Sequence, residues 1–249
     1  MIVFSPIPTI NLGFYQLSTH GLIIAIGFLS AEILARRAAG KRGLSADLVD
    51  NAAIIAVLAG LVGARIVYIA VLGRGMSFWQ MLEIWNGGLS SHGGYVFGIL
   101  AGLLYFKWKK VDIFKYADVV LPFMLIGWAI GRIGCFLNWD SYGKLTRVPW
   151  AIVVYGEPRH ATQLYESFGY LVAFFLQVKV TATAGWKKLR PGSTGAFALA
   201  LFALVRVVVD FYRDDSASYL LLSRLVTLVL IALCIAFIVW PQKKGKVVV

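Results

Sequence analysis

Residues 117–138, Ala-Asp-Val-Val-Leu-Pro-Phe-Met-Leu-Ile-Gly-Trp-Ala-Ile-Gly-Arg-Ile-Gly-Cys-Phe-Leu-Asn, hold only two charged side chains, Asp118 and Arg132. At about 1.5 Å per residue, a helix of this length matches the ~30 Å of bilayer hydrocarbon, so the run reads as a membrane span. Working outward, further apolar runs appear at about 18–38, 52–73, 93–108, 162–179, 194–212 and 218–240. The chain of 249 residues is 59% hydrophobic and 14% charged, with a mean hydropathy of +0.77. A soluble domain carries about 25% charge, so a large soluble catalytic domain is excluded. The expected fold class is an all-α integral membrane protein of about seven transmembrane helices, forming one polytopic domain over 1–249.

Seven spans place the termini on opposite sides, and short cytoplasmic loops collect Lys and Arg. Arg36, Arg37, Lys41 and Arg42 follow span one, while Lys107, Lys109, Lys110 and Lys115 follow span three. Lys179, Lys187, Lys188 and Arg190 follow span five, and Lys243, Lys244 and Lys246 follow span seven. These make 15 of the 24 basic residues, all on alternate connections, so the amino terminus is expected outside and the carboxyl terminus in the cytoplasm. The net charge of +12 is thus accounted for by topology. No basic run interleaved with aromatics of the nucleic-acid type accompanies it, and nucleic acid is not an expected partner. Met1 to His20 lack Lys and Arg and do not read as a removable signal peptide. Two cysteines by themselves make neither a disulfide framework nor a zinc site. Cys135 and Cys234 are also expected at different bilayer depths, too far apart to bridge.

The outer connections read differently. Phe78, Trp79, Met81, Leu82, Ile84 and Trp85 suit an interfacial arm over 74–91. Residues 139–161 form a small insertion, in which Val148 to Gly156 reads as an extended or hairpin element.

Counting from the span ends, His20, Arg65, His92, Arg132, Glu166, Arg206 and Asp210 all fall in the outer leaflet. Each ionisable group in hydrocarbon costs at least about 2.5–3.5 kcal/mol, so several at one depth imply a shared wet cavity. Each also has a structural reading: Arg65 and Arg206 paired with Glu166 or Asp210, His20 as an interface histidine, Glu32 beside Arg36. Gly127 with Gly131, and Gly98 with Gly102, read as close helix packing. The excess of Arg over acid points to a bound anion, because a guanidinium matches phosphate oxygens in two-point geometry. In the outer leaflet that anion is a phospholipid headgroup.

Four strings then become informative: Ser91-His92-Gly93-Gly94; Gly131-Arg132-Ile133-Gly134-Cys135-Phe136-Leu137-Asn138 running to Tyr142-Gly143; Arg159-His160-Ala161-Thr162-Gln163-Leu164-Tyr165-Glu166; and Arg206 with Asp210-Phe211-Tyr212-Arg213. In this order and spacing the chain resembles the prolipoprotein diacylglyceryl transferases, as do Gly63-Ala64-Arg65 and the Gly21 to Phe28 segment. The resemblance implies a multi-pass enzyme of the bacterial plasma (inner) membrane, with its active site facing the outer leaflet. It implies transfer of the diacylglyceryl group of phosphatidylglycerol to the lipobox cysteine of a preprolipoprotein signal peptide, releasing glycerol phosphate. By the same resemblance His92, Arg132 and Arg206 are catalytic. His20, Arg65, Gly93, Gly94, Cys135, Asn138, Asp140, Gly143, Tyr165, Glu166 and Asp210 contact or position substrate. The sequence departs from the family pattern at Cys135, which stands for Asn, at Asp140, which stands for Glu, and at His20, which stands where Tyr is frequent.

The chemistry implied is displacement at a glycerol carbon by sulfur. His92 would take the thiol proton, with His20 in reserve, and Arg132 and Arg206 would hold the departing phosphate. Asn138 and Tyr165 would orient headgroup oxygens, while Glu166, Asp140 and Asp210 orient the arginines. Neither a metal nor an organic cofactor is required. Gly93-Gly94 would let backbone approach a lipid closely. Cys135 with His92 could form a nucleophilic pair, though a cysteine within a span is more simply a packing residue. The alternatives are a lipid-group transferase with another acceptor, a diverged inactive relative, or an anion transporter, against which the lack of internal repeats counts.

Overall fold

The computed structural model describes residues 1–13, 16–73, 75–83 and 87–240. Each of the seven apolar runs is a helix: α1 (Thr19–Lys41), α2 (Ala46–Leu72), α4 (Ser91–Trp108), α5 (Ile113–Asn138), α6 (Thr162–Thr181), α7 (Ser193–Val209) and α8 (Ala217–Val239). A five-residue helix, α3 (Phe78–Leu82), lies between α2 and α4. By length and composition α2, α5 and α8 suffice to cross a membrane, and α7 is a shorter apolar helix. Leu58 of α2, Leu104 of α4, Phe175 of α6, and Leu222 and Leu233 of α8 stay exposed, a surface suited to hydrocarbon. Of the arm, Ile84 and Trp85 lie outside the described residues, as do Lys243, Lys244 and Lys246 of the carboxyl-terminal basic set.

One expected boundary moves. The sequence extends the sixth span to residue 212, whereas α7 stops at Val209 and Asp210 is its C-cap. An ionic turn described below takes over the chain there.

The chain divides into two compact units. In the unit Arg36–Tyr116, α2 and α4 pack backbone to backbone through glycines. A Cβ on Gly93 would lie 2.3 Å from the Gly63 carbonyl oxygen, and one on Gly98 2.9 Å from that of Ala56. Gly102 instead faces open space, so the expected Gly98–Gly102 pair is used at one end only. Arg36 pairs with Asp50 at 3.3 Å, an unforeseen partner. The short α3 is closed by a capping box: Ser77 N donates to Gln80 Oε1 at 2.8 Å, and Gln80 N to Ser77 Oγ at 3.4 Å.

The other unit comprises Met1–Ala35 and Ala117–Val249. Its core is built from Leu125, Ala129, Tyr170, Ala173, Ala198 and Leu201, contributed by α5, α6 and α7. The Asp118 carboxylate accepts hydrogen bonds from Gly192 N at 2.7 Å and Gly195 N at 2.8 Å. A charge within α5 thus serves the open amino terminus of α7.

A small capping structure covers one end. The expected hairpin is β4 (Ile152–Val154) against β5 (Glu157–Arg159), antiparallel with Ile152 opposite Arg159. Strand β1 (Ile2–Val3) adds in parallel to β4, and β2 (Thr9–Asn11) pairs with β3 (Gln16–Ser18). The sequence reading of the amino-terminal residues contained neither. Phe4 stacks on Phe136 at 4.6 Å, fastening this cap to the end of α5.

Candidate active site

Three arginines of the larger unit converge on one carboxylate. Glu166, in the second turn of α6, is fully buried. Its Oε2 pairs with Arg132 Nε from α5, and its Oε1 accepts from an Arg206 terminal nitrogen of α7 at 2.7 Å. Arg213 approaches the same Oε1 at 3.8 Å. Asp210, also fully buried, takes Arg206 Nε at 3.2 Å and the Ser223 hydroxyl at 2.6 Å, while its carbonyl accepts from Arg224 at 2.8 Å. Arg213 Nε closes the turn onto Asp215 at 2.5 Å. Arg132, Arg206, Arg213 and Arg224 therefore meet Glu166, Asp210 and Asp215, one positive charge in excess. Such a desolvated excess favours an anion.

The segment leaving α5 is held in an uncommon conformation. Trp139 and Ser141 have φ of 55° and 56°, a region most side chains avoid. Two buried side chains at the start of α6 pin it: Thr162 Oγ1 donates to Ser141 O at 2.8 Å, and Gln163 Nε2 to Asp140 O at 2.6 Å. Beyond it Gly143 forms an isolated bridge with Arg213, and a Cβ there would lie 2.6 Å from His160 Cβ and 2.7 Å from Tyr212 O. Gly143 is thus needed where three segments touch.

The three departures from the family pattern lie together. His20 Nδ1 is 3.5 Å from Asp140 Oδ2, Asn138 Nδ2 donates to the same oxygen at 2.9 Å, and an Arg132 terminal nitrogen is 3.6 Å from Cys135 Sγ. Nearby, Tyr165 Oη accepts from Trp150 Nε1 at 2.9 Å and lies 3.1 Å from His160 Nδ1. Burial holds the His160 imidazole below its ordinary value of 6.5. Tyr165, His160 and Tyr212 top an apolar groove of about 750 Å³, which runs between α6 and α7 past Phe168, Val172 and Leu204.

Within the smaller unit, His92 is exposed in the first turn of α4, a helix start with no side-chain cap on its N–H groups. Gly93 and Gly94 follow, and Gly93 is spent on contact with α2. Arg65 donates to the carbonyls of Met81 at 2.9 Å, Gly87 at 2.7 Å and Gly88 at 2.9 Å, and to that of Gln80. Its partners are backbone carbonyls, where the sequence offered Glu166 or Asp210. The structural reading does describe Arg206, which joins both of those acids.

Sequence reasoning passed over Arg213, Thr162, Gln163, Ser223 and Arg224 as site residues. Thr162, Gln163 and Arg213 did lie within the quoted motif strings, and Arg224 stood as a lone cation within the seventh apolar run.

A family model for prolipoprotein diacylglyceryl transferase matches residues 8–240. The phosphatidylglycerol--prolipoprotein diacylglyceryl transferase of Geobacter sulfurreducens is 34% identical over 223 residues, covering 86% of this chain and 84% of the relative. That of Clostridioides difficile is 34% identical over 235 residues, 91% and 92% of the two chains. The Nostoc sp. protein of the same name is 32% identical over 255 residues, 95% and 89%.

Proposed function

Because the chain belongs to the prolipoprotein diacylglyceryl transferase family, we propose that it transfers the diacylglyceryl group of phosphatidylglycerol to a prolipoprotein cysteine. The observation that carries this reading is the meeting of Arg132 and Arg206, from α5 and α7, on the buried Glu166. Glu166 fixes both guanidinium groups, while Asp210 and Asp215 leave the set one charge short of neutral. A phosphodiester supplies that charge.

In the reaction the acceptor sulfur attacks the glycerol carbon bearing the phosphoester. A carbon–sulfur bond forms, the carbon–oxygen bond breaks, and glycerol phosphate leaves with the electron pair. Arg132 and Arg206 stabilise the charge growing on the departing oxygen; removal of one such donor costs about 10²–10³ in turnover. The thiol proton goes to His92, an assignment resting on its motif and on the capacity of an imidazole nitrogen to act as general base. Asn138, which holds Asp140, and Tyr165 orient headgroup oxygens, and Asp210 keeps Arg206 in place. The groove beneath Tyr165 and Tyr212 is the proposed seat of an acyl chain. Seven spans, an external amino terminus, an interfacial arm over 74–91, an external insertion over 139–161 and an outer-leaflet site in the inner membrane complete the reading.

The test is mass spectrometry of a lipobox peptide incubated with purified protein and phosphatidylglycerol. The cysteine should gain one diacylglyceryl mass. Arg206→Lys should lower turnover about 10²-fold or more, and His92→Ala about 10²–10⁴-fold, with Glu32→Gln near wild type. Absence of product from folded, lipid-binding protein would refute the activity.

A further inference from the structure

We propose that His20, Cys135 and Asp140 form a binding site for a borderline divalent metal ion of the Zn²⁺ type. One donor atom from each lies within 4.8 Å of the other two, so the three point at one place. That convergence separates the site from a nucleophile–base–acid relay, in which an imidazole stands between its partners. Donors about 2.0–2.3 Å from a tetrahedral ion stand about 3.3–3.8 Å apart, and His20 Nδ1 and Asp140 Oδ2 already stand 3.5 Å apart. The widest gap closes with a movement of about 1 Å.

The surroundings are those of a built site. His20 Nδ1 is shielded from solvent and makes no hydrogen bond among the described residues. The Asn138 amide orients the Asp140 carboxylate, and Arg132 lies against the Cys135 sulfur, as outer hydrogen-bond donors do around ligating oxygen and thiolate. A thiolate and a carboxylate bring two negative charges, matching a divalent ion. Mixed nitrogen, sulfur and oxygen donors select Zn²⁺ or Co²⁺ over Mg²⁺ and Ca²⁺, which require oxygen. The site draws on three segments: the start of α1, the last turn of α5 and the strained turn after it. His20 and Asp140 side chains are 32% and 36% exposed, which leaves an entry path and a fourth coordination position for water or an exogenous thiolate. An occupied site would remove His20 from proton transfer and fix Cys135 as a thiolate beside Arg132.

The experiment titrates full-length protein, purified in detergent without a histidine tag, with Co²⁺ and then Zn²⁺. One Co²⁺ per chain should bind with thiolate-to-cobalt absorption in the near ultraviolet, displaced by Zn²⁺. Cys135→Ser should abolish that absorption, and His20→Ala and Asp140→Asn should weaken binding by about tenfold or more. Asp140→Glu should retain it. No stoichiometric binding, or the same absorption persisting in Cys135→Ser, would overturn the site. Circular dichroism establishes that each variant is folded; should Cys135→Ser not fold, unchanged affinity in His20→Ala and Asp140→Asn overturns the site equally. The readout is independent of catalysis, so its outcome and that of the transfer assay are separable.

Discussion

Glu166 is the residue on which most depends. Its one carboxylate organises guanidinium groups from α5, from α7 and from the turn after it. Removing one member of a buried ionic set leaves the others desolvated and unpaired, at about 3–5 kcal/mol. Glu166→Ala should therefore lower the thermal midpoint in detergent along with turnover. An unchanged midpoint would mean that the arginines are held by something other than this carboxylate. His160 gives the complementary test by pH. Its imidazole is held below 6.5 by burial, so it is neutral at pH 7 between Tyr165 and Tyr212. A depressed imidazole contributes stability that is present above about pH 6.5 and lost as pH falls through the lower folded value. The wild-type midpoint should fall between pH 7.5 and 5 more steeply than that of His160→Gln. Parallel profiles would remove His160 as the source.

At the scale of elements, helix contact rests on glycines that cannot be exchanged and others that can. Gly93→Ala would drive a Cβ to 2.3 Å from the Gly63 carbonyl, forcing α2 and α4 apart at about 1–3 kcal/mol. Gly102→Ala meets nothing within 4 Å and should instead stabilise α4 by about 0.5–1 kcal/mol. Thermal unfolding of the two variants checks the sign of each, and equal shifts would contradict the packing described. The spacing of Gly98 and Gly102 announced a contact face without saying how far it extends. Which glycine meets a neighbour is fixed by the crossing of two helices, which no single helix records. The same holds for the end of α7, where ionic closure of Arg206, Asp210 and Arg213 stops a run that hydropathy alone carries three residues further.

Across the whole molecule, the basic connections predict a topology that side-selective labelling can read. Tyr155→Cys, at the exposed hairpin turn, should react with an impermeant thiol reagent added to intact cells, and Lys110→Cys only after permeabilisation. Labelling of both from outside would invert or break the span count. The seven helices were legible because long apolar runs are written in consecutive residues, and by length and composition α2, α5 and α8 among them suffice to cross a membrane. The motifs likewise marked Arg132, Glu166 and Arg206 as belonging to one site. What the sequence could not state is who holds whom. Glu166 meets arginines 34, 40 and 47 positions away, Asp118 serves a helix start 74 residues on, and His20 reaches Asp140 across 120 residues. Pairing over such separations leaves no local pattern; it is decided by which helices pack together, and only the folded chain expresses that.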